Sequence, residues 1–258
     1  MTEFQNIKFQ IDDRVARITL ARPPLNILNI AMMREIGGAV NACAPKRDLA
    51  AIVFDSAPGT RVFSAGVAVE EHVPETAYQM LEAFHAIFRS LLQIAKPSIA
   101  VVDGPALGGG CELVAACDIV IASDRARFGQ PEIKLGVFPP VAAILLPRII
   151  GEKHARELLL TGDMIEASEA QRLGLVNHLV RAGELEQKTE SMLAKLRELS
   201  ASALTLTRTA LDLGSRPGFE SILEEVENLY LLELMKIEDA QEGVQAFTEK
   251  RKAEWRHR

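Results

Sequence analysis

The segment "GPALGGGCELVAACD", Gly104 to Asp118, sets three consecutive glycines, Gly108 to Gly110, between a β-branched apolar run and a stretch with the character of a buried helix. Glycine allows positive φ and close backbone approach, at a cost of about 0.5–1 kcal/mol within regular structure. Three in a row at a strand-to-helix transition expose bare N–H groups where the helix begins. Such groups suit an anion, including a charge that develops only during a reaction. Glu112 falls in the first turn, where it is either a chemical group or simply a favourable partner for the helix dipole. The spacing fits neither the GxGxxG dinucleotide loop nor a P-loop, which needs a following Lys-Ser/Thr pair. Ser64-Ala65-Gly66, after the Gly/Pro-rich "SAPGTRVF", reads as a second turn of this kind.

The surrounding sequence places these turns in an α/β frame. Ile7 to Leu20 alternates apolar and polar residues around "DDR" and predicts a β-hairpin. Ala51–Ser56, Ser98–Gly104 and Asp118–Ser123 are short β-branched runs that predict buried strands. Helical patterns lie between them, at Met32–Ala42 and Thr76–Ala95. In the second, Leu81, Phe84, Phe88, Leu91 and Leu92 form one face, and Lys96-Pro97 ends the helix. Strand–helix alternation continues to about residue 180. Beyond it the pattern is helical, at Leu185–Leu199, Ala203–Leu213 and Phe219–Ile237, with a hinge at Ser215–Gly218. The expected organisation is an α/β core over 1–199 and a helical region over 200–258.

Composition narrows the functional classes. A net charge of −6 argues against nucleic acid as the main partner. The N-terminus lacks a basic start followed by an apolar core, so no signal peptide is expected. A membrane span needs roughly 20 apolar residues; the longest candidate, Leu135–Pro147, is shorter and holds three prolines. Cys43, Cys111 and Cys117 are odd in number and lack CxxC spacing, which suggests reduced thiols in a cytoplasmic protein. No histidine pairs with a cysteine at ligand spacing, so no metal site is expected.

Taken together, "FSAGVAV", "AVVDGPALGGGCELVAACDIVIAS" and "ARFGQPEIKLGVFP" resemble the enoyl-CoA hydratase/isomerase (crotonase) family. The likeness runs from the N-terminal hairpin to "AFTEKRKAEW". It implies a spiral of β-β-α units followed by a helical part through which three or six copies assemble. It also implies an acyl-CoA thioester substrate, with no cofactor beyond the coenzyme A carried by that substrate. By motif match, the backbone N–H groups of Ala65 and Gly109 would form an oxyanion hole. Glu112 and Glu132 would be the catalytic pair, Glu112 activating water and Glu132 delivering the α-proton. Coenzyme A would be held by the backbone around Ser64, Gly66 and Val67, and by Phe247 and Lys250, often from a neighbouring subunit.

Several residues depart from the family pattern. The common "SAGADI" is here "SAGVAV", so Ala68 replaces an acid. A glycine-rich turn is replaced by "VFPPVAAILLPR", in which Val137, Phe138, Pro139 and Pro140 would form a stiff apolar pocket wall. His72 in "SAGVAVEEHVPE" would lie near that pocket, and "PPLNILN" also differs. These features are similar to the branch of the family that acts on alicyclic dienoyl-CoA esters. The competing expectations are a short-chain hydratase of fatty-acid oxidation, an isomerase or ring hydrolase, and a non-catalytic CoA-ester-binding protein. Retention of both glutamates disfavours the last two. A serine hydrolase is excluded more simply, because no GxSxG elbow is present.

Overall fold

A computed structural model describes residues 4–60, 62–214, 225, 230, 232–233 and 236–257, without the side chains of residues 241, 244, 245, 247 and 248. Nine strands are described: β1 (Ile7–Asp12), β2 (Val15–Leu20), β3 (Ala51–Ser56), β4 (Ser98–Val102), β5 (Pro105–Leu107), β6 (Ile119–Ser123), β7 (Arg127–Gly129), β8 (Met164–Glu166) and β9 (His178–Val180). The described helices are α1 (Ile30–Ala42), α2 (Pro74–Ile94), α3 (Gly109–Ala115), α4 (Pro140–Ile150), α5 (Glu152–Thr161), α6 (Ala167–Leu173), α7 (Leu185–Arg197), α8 (Ala201–Gly214) and α9 (Glu238–Glu249).

The hairpin forms where the pattern predicts it. Asp13 and Arg14 take φ of 41° and 63°, and β1 pairs with β2 antiparallel. Thereafter β2, β3, β4, β6 and β9 pair in parallel, giving one six-stranded sheet in the order β1-β2-β3-β4-β6-β9. Its central strands read as continuous apolar runs because both faces are covered. Ile18, Phe54, Ala100 and Val120 face the main core, whereas Val53, Ile99 and Ile121 pack against Leu185 and Leu193 of α7.

A second, smaller layer decides where the chemistry can occur. Strands β5, β7 and β8 form a three-stranded sheet, and isolated bridges Ser64↔Ala106 and Leu28↔Val67 extend its backbone pairing. Successive turns of chain therefore each give one strand to the large sheet, one short extended piece to the small layer, and then a helix. The 64–67 piece precedes α2, β5 precedes α3, and β7 precedes a 3-10 turn and α4. This is the β-β-α spiral.

Helix ends follow local chemistry. Asn29 caps α1, accepting from Met32 N–H at 2.9 Å, and the Glu71 carboxylate accepts from Ile30 N–H. Pro74 opens α2, whose buried face is Met80, Phe84, Ile87, Phe88 and Leu91. Leu92, expected on that face, points outward at 58% exposure. The helix stops at Ala95 in the left-handed conformation, immediately before Lys96-Pro97. Helix α8 is fastened to the core by Arg208, which donates to both carboxylate oxygens of Asp118 and to Leu91 O. The expected Ser215–Gly218 hinge lies outside the described residues, as does most of the expected Phe219–Ile237 helix. No helix among the described residues is long and apolar enough to cross a membrane.

Candidate active site

The three glycines are explained by three different close approaches at the start of α3. Gly108 has φ +51°, and a Cβ there would collide with Glu132 Oε1. At Gly109 a Cβ would lie 2.7 Å from Val67 Cγ2 and 3.0 Å from Phe84 Cζ, and at Gly110 2.7 Å from Ser64 Cβ. Side chains are therefore excluded because Glu132, the 64–67 loop and α2 already occupy that space.

The 64–67 loop has few backbone groups to spare. Ser64 N–H donates to Pro105 O, and Ser64 O accepts from Leu107 N–H. Gly66 N–H donates to Ser64 Oγ, and Gly66 O accepts from Leu28 N–H. Ala65, expected to supply an oxyanion donor, instead gives its N–H to Leu25 O at 2.9 Å. That expectation is corrected: an N–H already donated to a carbonyl is not available to a substrate. Val67 N–H has no partner among the described residues, and Gly66, its neighbour, packs against Gly108 and Gly109. Gly109 N–H, in the first turn of α3, lacks an intrahelical acceptor. The N–H groups of Val67 and Gly109 are thus two free donors brought together here. Ser64 and Gly66 retain no free backbone N–H, and the buried Ser64 hydroxyl is also committed, donating to Asn26 O at 2.8 Å.

Glu112 is 2% exposed. Its Oε1 accepts from Ala142 N–H at 2.8 Å. Pro140, expected in the pocket wall, is the first residue of α4. Proline suits that position since its missing N–H would be unpaired anyway. The unpaired first-turn donors of α4 are then Val141 and Ala142, and both stabilise the Glu112 carboxylate. Burial is the larger effect, however, and with the nearby Glu132 charge it pushes Glu112 up to about 7. Glu132, in the 3-10 turn Pro131–Leu135, is also pushed up to about 7, chiefly by burial. Its Oε2 is buried without a hydrogen-bond partner.

The remaining expected residues are less tightly gathered. Val137 and Pro140 are half-buried and Pro139 is buried, whereas Phe138 is 72% exposed in the single chain. His72 is half-buried; its Nδ1 donates to Ala68 O at 2.9 Å, because a carbonyl can only accept. Phe247 and Lys250 belong to α9 and the turn after it. The side chain of Phe247 lies outside the described residues, and Lys250 is exposed. No hydrogen bond or ion pair among the described residues joins either to the 64–67 loop or the glutamates. No cluster of described His, Cys, Asp or Glu residues could hold a metal ion.

Comparison with known proteins identifies the family. Residues 10–258 match the enoyl-CoA hydratase/isomerase family. A protein from Thauera aromatica described as cyclohexa-1,5-dienecarbonyl-CoA hydratase is 39% identical, covering 96% of this chain and 95% of its own. A short-chain-enoyl-CoA hydratase from Clostridium acetobutylicum is 34% identical, covering 98% of each chain. The crystal structure of enoyl-CoA hydratase from Bacillus anthracis superimposes with a TM-score of 0.92 at 30% identity, over 98% of this chain and 100% of that one. The chain belongs to the enoyl-CoA hydratase/isomerase family.

The crowding at Gly108 generates a prediction. Gly108→Ala would leave the protein folded but displace Glu132, and a shift of about 1 Å typically costs on the order of a hundredfold in rate. Circular dichroism and steady-state kinetics on the same preparation check this.

Proposed function

We propose that the protein is a hydro-lyase that adds water across the activated double bond of an enoyl- or dienoyl-CoA thioester. The observation that carries the reading is the pair of carboxyls, both pushed up to about 7, beside two unpaired N–H groups. In this reading the thioester oxygen accepts from Val67 N–H and Gly109 N–H. Each such donor is worth about 2.7–4 kcal/mol as the oxygen gains negative charge. Ionised Glu112 takes a proton from water as its oxygen bonds to the β-carbon. Protonated Glu132 then delivers a proton to the α-carbon as the enolate collapses. The division of roles is supported by hydrogen bonding: Glu112 receives N–H donors that favour its charged form, whereas Glu132 Oε2 has none.

For the acyl group we propose an alicyclic dienoyl ester such as cyclohexa-1,5-diene-1-carbonyl-CoA. Support comes from the 39% identity to the Thauera aromatica protein, from Ala68 in place of an acid, and from Pro139-Pro140. For assembly we propose a trimer or a dimer of trimers using the C-terminal helices, with Phe247 and Lys250 serving a neighbouring copy's coenzyme A. Exposed Leu135, Phe138, Ile144 and Leu160 would find cover in such contacts. The apolar stretch at Leu229–Met235 lies largely outside the described residues.

Four expected outcomes test these readings. Glu112→Gln and Glu132→Gln each lower kcat by about 10²–10⁴-fold while leaving CoA-ester binding nearly intact; near wild-type turnover in both would sink the acid–base assignment. Between about 4.5 and 7 the folded state holds protons on these carboxyls that the unfolded state releases. Wild-type stability contributed by them is therefore full below about 4.5 and lost as pH rises towards 7. Urea titrations should show the Gln variants losing less stability than wild type across that window. Finally, kcat/KM should favour cyclohexa-1,5-diene-1-carbonyl-CoA over crotonyl-CoA by about tenfold or more, since poor filling of an apolar pocket costs about 1–3 kcal/mol per methylene; the reverse order would point to a short-chain hydratase. Light scattering on the same protein would show three or six copies, and a monomer at micromolar concentration would refute the assembly.

A further inference from the structure

Resting on the hydratase reading above, we infer that Asn26 and Ser64 are positioning residues that set the spacing of the two N–H groups facing the thioester oxygen. Asn26 is fully buried and holds φ at 46°, in the left-handed region that asparagine tolerates better than most residues. All of its polar groups are engaged. Its N–H donates to Arg22 O, its Oδ1 accepts from Arg22 N–H at 2.9 Å, and its Nδ2 donates to Phe63 O at 3.0 Å. Its C=O accepts from Ser64 Oγ at 2.8 Å. The turn after Pro23-Pro24 is thereby joined to the residues that open the 64–67 loop.

Ser64 carries the link to both donors. Its Oγ accepts from Gly66 N–H at 3.1 Å, which fixes the Ala65–Gly66 peptide, one residue before the peptide that carries the Val67 N–H. A Cβ on Gly110 would lie 2.7 Å from Ser64 Cβ and 2.9 Å from Ser64 O, so the first turn of α3 rests directly on this residue. One arm from Ser64 thus reaches Val67 through Gly66, and the other reaches Gly109 through Gly110. The bridge Ser64↔Ala106 holds the serine from a third side. The hydroxyl touches no substrate atom in this scheme; it acts through the peptides it fixes.

Glycine at position 26 keeps the left-handed backbone without strain and removes only the side-chain bonds, while Ser64→Ala removes the hydroxyl alone. With a cyclic and a linear enoyl-CoA, both variants should lower kcat about tenfold to a hundredfold, less than outright loss of a donor, and leave KM within about threefold. The double variant should fall close to the worse single one, because both interrupt one chain of bonds. The decisive readout is the infrared carbonyl stretch of butyryl-CoA and cyclohexanecarbonyl-CoA, each ¹³C-labelled at the thioester carbon. Wild type should shift it to lower frequency, and both variants should return it towards the value in free solution. Thr189→Val, at a buried hydroxyl on α7 that donates to Leu185 O, is the control for lost stability and should leave kcat and the carbonyl shift unchanged. Variants that melt earlier yet keep the full shift and kcat would overturn the inference and leave Asn26 and Ser64 as ordinary packing. A wild type that shifts neither probe would overturn the hydratase reading itself, and this inference with it.

Discussion

Everything at the site depends on one close approach, that of the first turn of α3 to the 64–67 loop. Gly109 and Gly110 meet Val67 and Ser64 at distances that leave no room for a Cβ. That contact brings the unpaired N–H groups of Val67 and Gly109 together, while those of Ser64, Ala65 and Gly66 are spent on other partners. The two sheets exist, in functional terms, to hold it. The large sheet fixes where β3 and β4 end, and the small layer pins Ser64 to Ala106 and Val67 to Leu28.

The same economy governs the carboxylates. Glu112 lies in an apolar helix that would ordinarily keep it neutral. The α4 N-terminus, opened by Pro140, offers N–H groups that favour its ionised form. Opposing effects of burial and hydrogen bonding leave it near the middle of the physiological range. Glu132 reaches a similar value by burial with little compensation. A carboxyl with nothing donating to its free oxygen suits a group that must start protonated and deliver its proton, and one with N–H donors suits a group that must be ionised to accept one.

Much of the frame was legible in the sequence, and particular residues show why. The hairpin turn, the buried strands and the end of α2 follow from patterns that local physics enforces: paired left-handed residues, β-branched runs covered on both faces, and a residue restricted by proline. Strands β5, β7, β8 and β9 were not legible, because three residues are too few for a period to show. Leu92 follows the buried Leu91 by about 100° around the axis of α2, which carries it off the buried face to the surface.

The sequence by itself determined the residue types that the proposed chemistry needs: two glutamates, a glycine run that only close approach explains, and a Pro-Pro pair suited to opening a helix. Only the tertiary structure decided which groups remain free to act. Ala65 and Val67 are indistinguishable as backbone donors along the chain, and what separates them is Leu25 O, which takes the N–H of one and not the other. A motif carries the identity of a side chain, but hydrogen bonds from distant segments consume or spare the backbone beside it, and burial by those segments sets the charge.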